Sequence, residues 1–230
     1  MLKKKIIIAK NLTYYNLQFK KMKKLFLLAT LGLTLFTYSQ KQIFEAPQLQ
    51  STIKLHKQVA ILPFTVKITY KKQPKNFSVE ANRDQEIKMS KSIQSSMYTF
   101  LLRKADKYIV NFQDVEKTNI LLKKAGIADK LDEMTKDEVA KALGVDAIVG
   151  GTFESEQSKS EGAAIATAIL FGGLGGKTGT GSLTMTLNNG ADGELLWRFF
   201  KTMDDNISTS TDDIVENMMR KVSRNFPYLK

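Results

Sequence analysis

The chain has no cysteine, and only one histidine and one tryptophan among its 230 residues. Without a thiol there is no disulfide framework and no thiolate metal site, nor a cysteine through which lipid could tether a processed N-terminus to a bilayer. A single imidazole leaves transition-metal sites short of their usual ligands. Acidic residues are missing from the front of the chain: residues 1–39 hold eight lysines and neither aspartate nor glutamate. No internal repeat is visible, and no RNA- or DNA-binding motif.

The front of the chain reads as an export leader. Met22-Lys23-Lys24 supplies a basic start, and the mostly apolar run Leu25–Phe36 follows. Small residues Thr37 and Ser39 then occupy the −3 and −1 positions of a cleavage site, so the scissile bond falls between Ser39 and Gln40. As a helix the run would be roughly 18 Å long, short of the ~30 Å hydrocarbon core that a permanent anchor must cross. Residues 1–21 are too long for an n-region, and Met22 is the alternative start. The implied organisation is a leader over 1–39, a polar arm over 40–56 and one domain over 57–230. The expected location is exported, periplasmic or outer-membrane-associated, without a lipid anchor. Losing the leader removes eight of the 35 basic residues and none of the 23 acidic ones, so net charge falls from +12 to +4. The basic excess that would suggest a nucleic-acid partner therefore leaves with the leader. Lys71, Lys72 and Lys75, like Lys123 and Lys124, read as solvated faces. The remaining 191 residues suffice to bury a core without staples.

The pattern of the mature part predicts an α/β protein, a single mixed-sheet domain ordered β-α-β-α-α-β-(insert)-β-β-α with a C-terminal helix. A first strand runs over Gln58–Tyr70, with Pro63 marking an end, a bulge or an edge position because proline cannot donate to a ladder. A helix from Val79 or Asn82 to Lys104 carries an apolar stripe through Ile87, Ile93, Met97, Phe100 and Leu101. Tyr108, Val110 and Phe112 alternate as a short strand. Asp114 should cap a helix over 115–125 that Gly126 ends, and Thr135 with Glu138 forms a capping box for a helix ending at Leu143-Gly144. A strand over Val145–Phe153 precedes a polar stretch and a Gly-rich insert over 162–181. Strands over Ser182–Leu187 and Glu194–Lys201 flank the turn Asn188–Gly193 as a hairpin. In the second of these, Trp197 reads as a core aromatic. A last helix, capped between Ser208 and Thr211, aligns Ile214, Val215, Met218, Val222 and Phe226 before Pro227.

Three phrases stand out in that order: Val59-Ala60-Ile61-Leu62-Pro63-Phe64, then Leu143-Gly144-Val145-Asp146-Ala147-Ile148-Val149-Gly150-Gly151, then Asp192-Gly193-Glu194-Leu195-Leu196-Trp197. They resemble three landmarks of a group of bacterial envelope proteins related to the curli-secretion channel subunit and to the N-terminal domain of the Tol-system β-propeller protein. The resemblance spans residues 57–226. It implies a periplasm-facing α/β domain, often part of an envelope assembly, with no known catalytic residues. Two departures matter. Channel-forming members are lipid-anchored through a cysteine, which this chain lacks, and they carry insertions of alternating pattern that build membrane hairpins, whereas the insert here does not alternate. Pore formation therefore does not carry over with the fold.

Phe171-Gly172-Gly173-Leu174-Gly175-Gly176-Lys177-Thr178 approaches the phosphate-binding pattern G-x-x-x-x-G-K-S/T. The required first glycine is Phe171, and the residues past Thr178 favour strand or loop over the helix whose N-terminus would face the anion. Gly162–Gly176 is uncharged and rich in Ala and Gly, a composition that lets chains approach closely. It is too short to span a bilayer as a straight helix. Three readings stay open for it: a helix folded on the domain's own sheet through Ile165, Ile169 and Leu170, a partner contact, or a membrane contact. Ile165, Ile169, Leu170, Phe171 and Leu174 are the candidate contact residues. His56, alone in a Lys-rich approach, reads as solvated, since a triad would need it to find nucleophile and carboxylate elsewhere. Asp204-Asp205 and Asp212-Asp213 read as helix-capping and dipole partners, lacking the spaced loop of a calcium cage. No cofactor, nucleotide or nucleic acid is expected. The expected role is a non-catalytic envelope binding or assembly protein, contacting an envelope partner or itself, with peripheral membrane contact a further expectation. The alternatives are a secretion-channel-like subunit and a periplasmic hydrolase built on Ser or Asp groups.

Overall fold

Seven strands and five α-helices succeed one another in the computed structural model, which describes residues 41–75, 77–157, 179–203, 211–222 and 225–230. They are β1 (Lys41–Glu45), α1 (Leu49–Thr52), β2 (Gln58–Ile61), β3 (Thr65–Tyr70), α2 (Val79–Leu102), β4 (Asn111–Phe112), α3 (Val115–Lys124), α4 (Lys136–Leu143), β5 (Ala147–Gln157), β6 (Gly179–Asn189), β7 (Leu195–Met203) and α5 (Thr211–Val222). The strands form one mixed sheet in the order β1-β7-β6-β5-β2-β4, and β3 also pairs with β5. β2 and β3 run parallel to β5, while β5, β6, β7 and β1 are successively antiparallel. The architecture is the single mixed α/β domain with a C-terminal helix that the sequence pattern predicts. The leader, the Ser39–Gln40 bond, Ile165, Ile169, Leu170, Phe171, Leu174, Asp204, Asp205 and Ser208 lie outside the described residues.

Pro63 divides the predicted first strand in two. Both halves stay on β5, with Val59–Ile61 opposite Ala147–Val149 and Thr65–Tyr70 opposite Thr152–Gln157. The break frees the Ile61 carbonyl, and the buried Gln94 amide of α2 donates to it at 2.7 Å. Phe64 turns its ring onto β5 at Gly151. A Cβ there would lie 2.5 Å from the ring and 2.3 Å from the Thr184 carbonyl. Only glycine admits both neighbours, so the proline–phenylalanine pair and the double glycine are two sides of one packing feature.

Alternation along the strands sorts the core into two clusters. Val59, Ile61, Val149, Phe153, Trp197 and Phe199 join Met89, Ile93, Met97, Phe100 and Leu101 of α2 and Met218, Met219 and Val222 of α5 in the larger. Ala60, Leu62 and Ile148 face Leu122 of α3 and Val139, Ala140 and Leu143 of α4 in the smaller. Met89 replaces Ile87 in the stripe of α2, because the buried positions 89, 93, 97 and 100–101 fall on one face and Ile87 falls off it. Trp197 and Phe199 are buried, whereas Arg198 is exposed on the face that α3 and α4 leave uncovered. Local signals hold at the helix ends. Asp114 accepts the Lys117 N–H at 2.9 Å, Glu138 accepts the Thr135 N–H at 3.0 Å, and Gly126 and Gly144 adopt left-handed φ of 69° and 63°.

The segment read as a polar arm is part of the fold. Residues 41–45 pair with β7, and Ala46, Leu49 and Ile53 are buried, because the apolar residues spaced through 43–53 have a sheet edge to cover. Two edge strands of the sheet, β3 and β1, are finished differently. On β3, Ile68 N–H donates to Glu86 Oε1 at 2.8 Å and Asn82 Nδ2 donates to the Ile68 carbonyl at 3.2 Å, so α2 side chains occupy the groups a foreign strand would use. On β1 no such cover exists among the described residues.

Candidate functional site

Titratable side chains gather where β2 and β5 begin and β6 ends. Asp146, just ahead of β5, accepts the backbone N–H groups of Lys57 and Gln58 at 2.7 and 2.8 Å, and its own N–H donates to the Gln58 carbonyl at 2.9 Å. These bonds fix the parallel register of β2 on β5, which gives the Gly-Val-Asp phrase a structural reason. Partial burial pushes the Asp146 carboxyl up. The two N–H bonds, with His56 and Lys57 nearby, outweigh that and leave its pKa below the usual carboxylate value. Gly190 packs against the Asp146 backbone so closely that a Cβ would lie 2.7 Å from its carbonyl oxygen.

His56 is not solvated. It is 7 % exposed, held between the C-terminal segment and the end of β6. Its Nδ1 lies 2.6 Å from the Tyr228 hydroxyl and its Nε2 lies 3.2 Å from Asn189 Oδ1. Asn189 spends its Nδ2 on the Asp192 carboxylate, at 2.9 Å to each oxygen. Its Oδ1 is therefore the acceptor, so His56 carries its proton on Nε2 and accepts the Tyr228 proton at Nδ1. The bonds run in one direction, Tyr228 to His56 to Asn189 to Asp192. Burial lowers the His56 pKa, although Asn189, Asp146 and Asp192 work against it, and burial with the Asp146 charge raises that of Tyr228. A neutral imidazole and a neutral phenol are what this one-way chain needs.

A histidine between a hydroxyl and an oriented amide has the connectivity of a nucleophilic triad. Accessibility argues for a different role. Tyr228 is 0 % exposed and ringed by His56 and Phe226, so no substrate carbonyl reaches its oxygen. The Tyr228 carbonyl accepts the Ile109 N–H at 3.0 Å, and Lys230 N–H donates to the Lys107 carbonyl at 2.8 Å. The cluster works as a clasp that ties the chain's end to the sheet. Beside it lies an open cavity of about 320 Å³ lined by Thr52, Leu55, His56, Val145, Asp146 and Asn189–Ala191.

The sequence signals for this clasp were a lone histidine ahead of a strand and an aspartate two residues past a helix-ending glycine. Nothing local marked Tyr228 or Asn189 as partners. The candidate contact segment, 162–176, lies outside the described residues. Ala147 pairs with Asn189 beside the clasp and Gln157 with Gly179 at the far end, so residues 158–178 connect the strands there. Lys177-Thr178 leads directly into strand β6, where a phosphate cradle needs a helix. Among the described residues, no three His, Asp or Glu side chains converge as a metal site, and no helix is long and apolar enough to cross a membrane.

No family model matches the sequence, and no curated protein matches it. Among solved structures, the chain overlaps the lipoprotein GNA1162 from Neisseria meningitidis at 11 % identity, TM-score 0.43, over 73 % of this chain and 96 % of that one. A PelC dodecamer from Paraburkholderia phytofirmans overlaps at 10 % identity and TM-score 0.37, over 84 % and 100 %. The LpoB C-terminal domain from Salmonella enterica overlaps at 10 % and 0.32, over 69 % and 93 %. At these scores the overlaps carry no argument about function.

Proposed function

We propose that this chain is an exported, non-catalytic binding or assembly protein of the bacterial cell envelope, working by protein–protein contact. The observation that supports this reading is the clasp: the described cluster of titratable groups best placed for chemistry spends its donors and acceptors on holding the fold together. The leader motif supports export. Residues 162–176, which join two long strands away from the clasp, are the contact segment. The described β5–β6 ladder is complete from Ala147–Asn189 to Gln157–Gly179 without this segment, so its removal should spare the fold.

The test is to express the full chain in an exporting bacterial host, fractionate the cells and cross-link. The expected result is a processed species in the envelope fraction, cross-linked to protein partners. A variant lacking residues 162–176 should keep its thermal midpoint within a few degrees and lose those cross-links. An intact 230-residue product in the cytosol, or a hydrolytic activity abolished by one polar substitution, would overturn the reading.

A further inference from the structure

The edge of β1 is open where that of β3 is blocked. Ala46 N–H donates to the Leu196 carbonyl at 2.8 Å. Hydrogen-bonding direction alternates along an antiparallel strand, so residues 42 and 44 also address β7 while residues 41, 43 and 45 turn their N–H and C=O groups outward. Ile43 is 36 % exposed and Phe44 48 %, large apolar side chains on opposite faces of an edge that nothing covers among the described residues. An uncovered edge of this kind is a template for another strand.

The sequence of the edge specifies which strand. Lys41-Gln42-Ile43-Phe44-Glu45 is basic at one end, acidic at the other and apolar at the centre. Laid antiparallel on a second copy with Ile43 opposite Ile43, it places position 41 opposite position 45 at both ends, a lysine across from a glutamate each time. The three outward-facing positions then coincide as hydrogen-bonded pairs, worth about six backbone bonds. A register slipped by one residue would set outward-facing positions against inward-facing ones and lose both charge pairs.

We propose that two copies of this chain associate through β1, paired antiparallel about a two-fold axis at Ile43, which joins their sheets into one. This rests on the assembly reading and names one partner within it, a second copy. A closed isologous contact of this kind also leaves the far ends of both β5–β6 hairpins unused.

The test uses the full chain recovered from the envelope fraction of an exporting host. Sedimentation should show a concentration-dependent dimer. Glu45→Lys sets lysine against lysine twice and should weaken dimerisation about tenfold, as should Lys41→Glu with its opposed glutamates. The double variant Lys41→Glu/Glu45→Lys should restore it, and the two single variants mixed should pair with each other more tightly than either pairs with itself. Since the chain has no cysteine, Ile43→Cys introduces a unique thiol at the axis, about 5.5 Å from its copy. It should cross-link to a homodimer with a short thiol reagent, whereas Glu45→Cys, about 14 Å from its copy, should not. Unchanged thermal midpoints confirm that the variants fold. Unaltered dimerisation of Glu45→Lys, failure of the double variant to rescue, or a monomer whose residue 43 is shielded from the thiol reagent would overturn self-pairing. So would cross-linking of residue 43 to a different protein, but that outcome leaves the assembly reading standing. Loss of partners on removing 162–176 tests that reading separately.

Discussion

Replacing Tyr228 with phenylalanine removes one oxygen from the clasp and leaves His56 Nδ1 without its donor at 2.6 Å. The hydroxyl is fully buried, so no water takes its place without opening the C-terminal segment. An unsatisfied buried acceptor costs about 1–3 kcal/mol. For a unit of this size, about 2 kcal/mol corresponds to a fall of roughly 4–8 °C in thermal midpoint. His56→Leu should cost a similar amount, because the phenol then donates to nothing. The double variant removes both partners together, so its loss should fall short of the sum by about 1–2 kcal/mol. Urea unfolding at 25 °C of all four proteins measures the cycle. Acidification gives a second readout of the same geometry. The His56 pKa is below its ordinary value in the folded state, so its contribution is complete above about pH 6.5 and is lost as pH falls through the folded value. Wild type should therefore lose more stability than His56→Leu between about pH 7.5 and 5.5. A Tyr228→Phe loss under about 0.5 kcal/mol, additive single losses, or equal acid sensitivity of the two proteins would refute the clasp.

Gly151→Ala forces a methyl group between the Phe64 ring and the Thr184 carbonyl, and should cost about 1–3 kcal/mol, read as a lowered urea midpoint. Phe64→Leu should recover only part of it, because the carbonyl clash remains. Asp146→Asn exchanges charge-assisted acceptance of two N–H groups for neutral bonds and should cost about 1–2 kcal/mol at neutral pH. The Asp146 pKa is lowered in the fold, so its contribution is present above about pH 4 and lost as pH falls through the folded value. The variant should therefore differ least from wild type in strong acid. Asn82→Ala combined with Glu86→Ala uncovers the Ile68 backbone at the β3 edge and should raise aggregation on heating, measured by light scattering, ahead of any change in midpoint at low protein concentration.

Sequence reading succeeded where structure is decided within a few residues. The helix starts at Asp114 and Thr135, the left-handed Gly126 and Gly144, and the hairpin turn, which begins at Gly190 after Asn188 and Asn189 complete β6, all depend on neighbours close in the chain. Pro63 was legible as an interruption, but not its outcome, because whether the chain leaves the sheet or resumes on the same neighbour depends on Gly151 making room for Phe64. β1 was missed for a related reason. Five residues with charged ends carry no strand signal of their own, and what makes them a strand is a partner at Trp197–Lys201. His56 is the clearest case, since its burial comes from Tyr228, 172 positions away. The candidate contact segment was legible as a compositional oddity, and its site of attachment became clear only from the register of β5 and β6.

Both ends of the described unit close late. β1 finds its place only against β7, and the clasp needs Tyr228, near the far end of the same unit. For a chain that emerges N-terminus first, from a ribosome or through a membrane pore, neither fastening can form until almost the whole unit has arrived. Such long-range closure slows folding. The arrangement leaves both fastenings open until β7 and Tyr228 have emerged.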